Sequence, residues 1–89
     1  MLAFVKMDPS LKILAFAGAR ELLGTAEMTL PVEGGETVAI VMDRLCQRFP
    51  QLEAYRGCMR VAVNEHYAQD EDPVAAGDEL ALIPPVAGG

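Results

Sequence analysis

Thr37-Val38-Ala39-Ile40-Val41-Met42-Asp43-Arg44-Leu45-Cys46-Gln47-Arg48-Phe49-Pro50 is the one long helix that the sequence predicts, and its setting decides the fold. Val38, Val41, Met42, Leu45 and Phe49 recur at helical spacing and make one apolar stripe, while Asp43, Arg44, Gln47 and Arg48 lie mostly on the other side. Thr37 suits the N-cap, where a hydroxyl can accept from a free backbone N–H, and Pro50 cannot continue a helix. Gly34-Gly35 opens the loop that precedes it. On either side of this segment the pattern changes to short apolar runs.

Upstream, Leu11-Lys12-Ile13-Leu14-Ala15-Phe16-Ala17 is apolar almost throughout, as a central strand buried on both faces would be. Gly18 releases it into Ala19-Arg20-Glu21-Leu22-Leu23, one or two helical turns closed by Gly24. Glu27-Met28-Thr29-Leu30-Pro31-Val32 alternates, predicting a second strand antiparallel to the first, with Pro31 at an edge or an end. Downstream, Leu52 and Tyr55 are expected to cover the helix end in an irregular segment before Gly57. Arg60-Val61-Ala62-Val63 predicts a strand, and Asn64-Glu65-His66 turns it into a short partner around Tyr67-Ala68. A polar loop, Gln69-Asp70-Glu71-Asp72, and a tight turn over residues 73–79 then feed a last apolar strand, Leu80-Ala81-Leu82-Ile83.

One helix across a mixed sheet of four or five strands is an α+β roll of the ubiquitin-like, β-grasp kind. In that arrangement the first and last strands run side by side and parallel at the centre of the sheet. Residues 11–17 and 80–83 are the most continuously apolar runs of the chain, as buried parallel strands should be. Residues 1–10, ending in the breaker cluster Asp8-Pro9-Ser10, read as an extension before the domain, residues 11–83 as the domain, and residues 84–89 as an extended tail.

The 89 residues suffice for one small domain, and a hydrophobic fraction of 52% supports a core without staples. Thirteen acidic against seven basic residues give a net charge of -6, which speaks against nucleic acid or an anionic membrane as the main partner. A basic protein surface is the natural complement. Cys46 and Cys58 lack metal-ligand or C-x-x-C spacing and read as reduced, half-buried thiols. Leu2-Ala3-Phe4-Val5 is too short for the apolar region of a signal peptide, so a cytoplasmic protein is expected.

The tail draws attention next. Ile83-Pro84-Pro85-Val86 is stiff, and Ala87-Gly88-Gly89 follows. Proline fixes φ and pushes the preceding residue into an extended conformation, so the arm should leave the domain thin and straight. Six residues from Pro84 to Gly89 could span roughly 20 Å, and two residues without a Cβ let the carboxylate of Gly89 pass where a side chain would jam. The rest of the chain offers little chemistry. His66 sits in a hairpin that favours solvent exposure, and Ser10, the sole serine, lies in the N-terminal extension. The acidic loop lacks the ligand spacing of a calcium site, and Gly34-Gly35 has neither lysine nor a phosphate-binding frame. No metal site is expected.

Residues 11–17 followed by Arg20-Glu21-Leu22-Leu23-Gly24, then Ala62-Val63-Asn64-Glu65, then Gly77-Asp78-Glu79-Leu80 and Ile83-Pro84-Pro85-Val86-Ala87-Gly88-Gly89, resemble the family of molybdopterin synthase small subunits, MoaD. The likeness spans residues 11–89, and its sharpest element is the ending, G-D-E-(x)4-P-P-V-x-G-G. Residues 1–10 depart from the family, which leaves the start open between Met1 and Met7.

That resemblance implies a ubiquitin-like sulfur carrier that binds no cofactor. An E1-like adenylyltransferase would use ATP to adenylate the carboxylate of Gly89, and a sulfur donor protein would convert it to a thiocarboxylate. The thiocarboxylate would then enter the large subunit of molybdopterin synthase and supply the dithiolene sulfurs to a cyclic pyranopterin precursor. Pro84, Pro85, Val86, Ala87 and Gly88 would thread into the partner, and the catalytic acids and bases would lie there, leaving this chain a sulfur-donating subunit. Apolar residues at the tail's exit, Phe16, Tyr67, Ile83 and Val86, are the docking candidates, although plain core is an equal reading for Phe16 and Ile83. Other readings stay open: a carrier for thiazole synthesis, a ubiquitin-like modifier joined to lysines, or a β-grasp adaptor whose Gly-Gly is incidental.

Overall fold

The computed structural model describes residues 9–85. In chain order they form β1 (Ser10–Ala15), α1 (Ala17–Leu23), β2 (Glu27–Pro31), α2 (Val38–Arg48), a 3-10 helix (Pro50–Cys58), β3 (Arg60–Val63), β4 (His66–Tyr67) and β5 (Glu79–Ile83). The five strands make one sheet in the order β2-β1-β5-β3-β4. β1 and β5 pair in parallel at the centre, with Ile13 opposite Leu80 and Ala15 opposite Leu82, and every other pairing is antiparallel. This is the β-grasp roll expected from the two apolar runs.

Leu11, Ile13, Leu80 and Leu82 point to one face of the sheet and are fully buried against Val38, Val41, Met42 and Leu45 of α2 and Leu52 of the 3-10 helix. Burying a side chain of this kind contributes about 1.5 to 3 kcal/mol, so these residues dominate the stability of the domain. The Thr37 hydroxyl caps α2 by accepting from the Ile40 N–H at 3.4 Å. Gly24 closes α1 in the left-handed conformation, φ 75°, donating to the Arg20 carbonyl at 2.9 Å.

Several expectations need correcting. β1 is buried on one face only: Leu11, Ile13 and Ala15 face the core, Lys12 is exposed and Leu14 half-buried. The fold has two layers, so no element covers the second face of β1. The turn after β1 is made by Ala17, φ 47°, and not by Gly18, and α1 begins there. Residues 50–58 are a regular 3-10 helix rather than an irregular segment; Leu52 is buried in it, whereas Tyr55 is exposed. His66 belongs to β4, opposite Val63, and Asn64 and Glu65 alone make the hairpin turn with φ 51° and 70°, the two left-handed positions of a type I′ loop. Cys46 is buried and Cys58 exposed, both as free thiols, so neither is half-buried. Phe49 is only half-buried, because it lies past the last turn of α2. Ser10 pairs with Pro31 and the Pro9 carbonyl accepts from the Val32 N–H at 3.0 Å, so the sheet begins inside the stretch read as an extension. Residues 1–8 and 86–89 lie outside the described residues.

Candidate functional site

β5 carries the chain from the middle of the sheet to Pro84 and Pro85, and the residues around that exit define the site. Strand pairing decides which side chains meet on the sheet's uncovered face. Leu14 is opposite Ala81, Ala81 opposite Ala62, and Ala62 opposite Tyr67, which makes one row across four strands. The Phe16 N–H donates to the Leu82 carbonyl at 3.3 Å, extending the parallel pairing so that Phe16 reaches the level of Ile83. Phe16, 51% exposed, and Tyr67, 65% exposed, flank a shallow cavity of about 310 Å³ with Leu14, Ala81 and Ile83 on its floor and Glu65 and Glu79 on its margin. Three of the four docking candidates, Phe16, Tyr67 and Ile83, are thus brought together, and neither Phe16 nor Ile83 is a fully buried core residue.

A second, larger cavity of about 750 Å³ opens on the other side of the exit, between α1 and the 3-10 helix. Leu22, Tyr55, Cys58 and Met59 line it together with Pro84 and Pro85 themselves. The root of the tail therefore lies between two apolar surfaces. Val86, Ala87, Gly88 and Gly89 are outside the described residues.

The start of β5 is pinned with equal care. Asn64 Oδ1 accepts from the Glu79 N–H at 3.0 Å, Asn64 Nδ2 donates to Asp78 Oδ1 at 3.0 Å, and the Asn64 N–H donates to the Glu79 carbonyl at 2.8 Å. Asp78 Oδ2 in turn accepts from the Ala75 N–H at 2.8 Å. Asparagine tolerates the left-handed turn and supplies both a donor and an acceptor, which explains why one residue serves the hairpin and the lock at once. Sequence reasoning saw Asn64 only as a turn residue; its link to Asp78, fourteen residues on, has no local signal.

The remaining candidates disperse. His66 is exposed on β4. Asp72 accepts from the Gln69 N–H at 2.8 Å, so one acid of the polar loop serves the loop's own turn. Among the described residues no three His, Cys, Asp or Glu side chains gather as metal ligands. The buried carboxylate that sequence reasoning missed is Glu36, 8% exposed. Its two oxygens accept from the Glu33 N–H at 2.7 Å and from Arg44 at 2.8 Å. The Glu33 N–H, and after it Arg44, hold its carboxyl below the ordinary value against the opposing effect of burial. This pair fixes the loop into α2 and serves structure. Burial, helped by Glu53, pushes the Cys46 thiol up, away from thiolate chemistry.

The profile of the ThiS family matches residues 13–89, from the second core residue of β1 through the tail. The chain belongs to the ThiS family. A ThiS-family relative of this chain, the molybdopterin synthase sulfur carrier subunit of Arabidopsis thaliana, is 46% identical over 79 residues, covering 89% of this chain and 82% of that one. Two crystal structures of the small archaeal modifier protein SAMP1 from Haloferax volcanii are similar, with TM-scores of 0.80 and 0.78 and identities of 35% and 32%. They cover 90% and 88% of this chain and 99% of theirs. A chain in the complex of subunits 1 and 2 of the molybdopterin-converting factor from Helicobacter pylori shares the fold, with a TM-score of 0.64 at 20% identity, over 90% of this chain and 99% of that one.

Proposed function

We propose that this ThiS-family chain is the sulfur-carrier subunit of a cytoplasmic molybdopterin synthase and that the carboxylate of Gly89 is its reactive group. The observation that carries this reading is the likeness to the Arabidopsis sulfur carrier subunit over most of the chain. The geometry agrees: the central strand β5 leads into Pro84-Pro85 between two apolar surfaces.

A carboxylate is unreactive toward acyl transfer until one oxygen becomes a leaving group. An E1-like enzyme therefore joins it to the AMP moiety of ATP, releasing pyrophosphate; AMP leaves when the terminal sulfur of a donor protein's persulfide bonds to the acyl carbon, and a thiol then reduces the S–S bond of the acyl disulfide and frees the thiocarboxylate. The resulting thiocarboxylate sulfur is ionised and nucleophilic at neutral pH. In the large subunit it attacks a carbon of the pyranopterin precursor and displaces an oxygen leaving group from it, and hydrolysis of the acyl–sulfur bond leaves the sulfur on the pterin and returns the Gly89 carboxylate. Adenylation and sulfur loading require bulk water to be excluded while the acyl group is activated, which a narrow tip seated in a closed cleft provides, and water is admitted only for the final hydrolysis. Phe16, Tyr67 and Ile83 would seat the domain on the cleft's rim while Val86, Ala87 and Gly88 thread it.

The test is molybdopterin formation from precursor by the reconstituted synthase. Deleting Gly89, or adding a residue after it, should abolish turnover at unchanged thermal stability, and Gly88→Val should fail by blocking the channel. An extended variant that keeps its extension and still supports wild-type turnover would refute the reading. The intact mass of the protein from its own cells should show one oxygen replaced by sulfur.

The likeness to SAMP1, a protein named as a modifier, favours a second reading in which the activated carboxylate is joined to lysines of other proteins. Higher-mass conjugates in cell extracts that vanish on deletion of Gly89 would support it.

A further inference from the structure

Arg60 stands opposite Ile83, the last residue of β5, and so at the root of the tail. Its guanidinium carbon lies 5.0 Å from the centre of the Tyr67 ring, a cation–π stack on the uncovered face of the sheet. Among the described residues Lys12 approaches Glu27, Arg44 binds Glu36 and Arg56 binds Asp43, whereas Arg60 makes neither an ion pair nor a side-chain hydrogen bond. The ring contact leaves the guanidinium N–H donors without a partner among the described residues. A guanidinium held this way loses less freedom when a planar anion arrives and can bind it through two parallel hydrogen bonds.

We propose that Arg60 receives a carboxylate from the rim of the protein that takes up the tail, and that this pair sets the rotation of the domain about the tail axis. The inference rests on the carrier reading above. Distance selects a protein carboxylate over a phosphate. Six residues from Pro84 to Gly89 would reach roughly 20 Å if drawn straight into a cleft, which would put any nucleotide or pterin phosphate with the reacting tip, far from Arg60. What meets Arg60 is the partner's own surface, where the anion is Asp or Glu. The chain's net charge of -6 makes a generally basic partner surface the favourable one. Arg60 is the exposed cation that stands opposite the last residue of β5, and in that acidic field it marks one acidic position on the partner. Glu79, at the opposite end of β5, gives the same face the reverse sign there.

The test is titration of the full chain with its synthase large subunit across a salt series. Arg60→Glu should weaken binding roughly tenfold at low salt, with the difference shrinking as salt screens it. Arg60→Lys should recover part of the loss, since it keeps charge but not the fork. Arg48→Glu removes the same kind of stack, 5.4 Å from Phe49 at the end of α2, and should change nothing. Circular dichroism and melting establish that each variant is folded. Reversal of one acidic residue on the partner's rim should restore Arg60→Glu to wild-type affinity and so name the counterpart. Binding of Arg60→Glu within about twofold of wild type, while deletion of Gly88 and Gly89 weakens it, would overturn this inference and leave the carrier reading standing. Failure of the wild type to bind would overturn both.

Discussion

Phe16→Ala measures how much binding the open face supplies. An aromatic side chain of this size presents about 200 Å², and Phe16 is 51% exposed, so about 100 Å² awaits a partner. At about 25 cal/mol per Å² that area contributes about 2.5 kcal/mol, or about 70-fold in Kd. The half already buried has a similar area, so the fold loses at most about 2.5 kcal/mol. A domain of 89 residues at about 0.05 kcal/mol per residue, the low end of the usual range, has about 4.5 kcal/mol to lose. About 2 kcal/mol then remains, which keeps about 97% of the variant folded at 25 °C. Unfolding therefore accounts for almost none of the expected change in Kd. The backbone contacts survive, because the Phe16 carbonyl accepts from the Ala19 N–H at 3.0 Å whatever side chain is present. Calorimetric titration with the large subunit, beside a melting curve, should show Kd rising between about tenfold and about 70-fold. A rise below about threefold would refute the claim that this face is covered in the complex.

Leu45→Ala should destabilise the domain by roughly 2 to 5 kcal/mol, because Leu45 is fully buried, while half-buried Phe49→Ala should fall at or below the low end of that range; equal denaturant midpoints for the two variants would contradict the packing. Glu36 has a folded-state pKa below its unfolded one, so its contribution is present above the ordinary carboxylate range and is lost as pH falls through the lowered value. The stability gap between wild type and Glu36→Gln should therefore narrow on acidification from neutrality toward pH values below that range, as read from urea midpoints in a pH series. A gap independent of pH would mean that the carboxylate is not held by Glu33 and Arg44. Removing residues 1–8 should leave the melting temperature nearly unchanged, whereas removing residues 1–10 also deletes the Ser10–Pro31 rung and the acceptor of the Gly77 N–H, and should cost about 1 to 2 kcal/mol.

The strand order was legible because parallel central strands tend to be apolar, and residues 11–17 and 80–83 are the apolar runs at the two ends of the domain. The same run misled on burial. Leu14, Ala81 and Phe16 are apolar on a face that no helix covers, and apolarity alone does not distinguish a residue facing the core from one facing a partner. That Phe16, Tyr67 and Ile83 share one face was legible for a related reason: they were sought beside the tail's exit, and the exit follows from β5 being central. What stayed hidden is contact between residues far apart in sequence. Glu36 meets Arg44 across a helix start, Asn64 meets Asp78 across a loop, and Arg60 meets Tyr67 across a hairpin whose register depends on a left-handed Glu65. Glutamate rarely adopts that conformation, so its residue type gave no hint of a two-residue turn.

In the proposed role, root and tip divide the work. β5 is hydrogen-bonded on both sides, to β1 and β3, and its first residue is held by Asn64, so the position from which the tail departs is fixed relative to Phe16, Tyr67 and Arg60. Contacts at the root are then made equally before and during sulfur transfer, and uniform binding of that kind alters affinity without altering the chemical step. The tip makes its contacts where bonds form and break, so its substitution alters turnover. Variants at Phe16, Tyr67 and Arg60 should accordingly raise KM or Kd with kcat nearly preserved at saturation, whereas variants at Gly88 should lower kcat even at saturation. A root variant that lowers kcat at saturating concentration would show that docking also positions the reacting carboxylate, and that the arm is too stiff for its tip to act independently of its root.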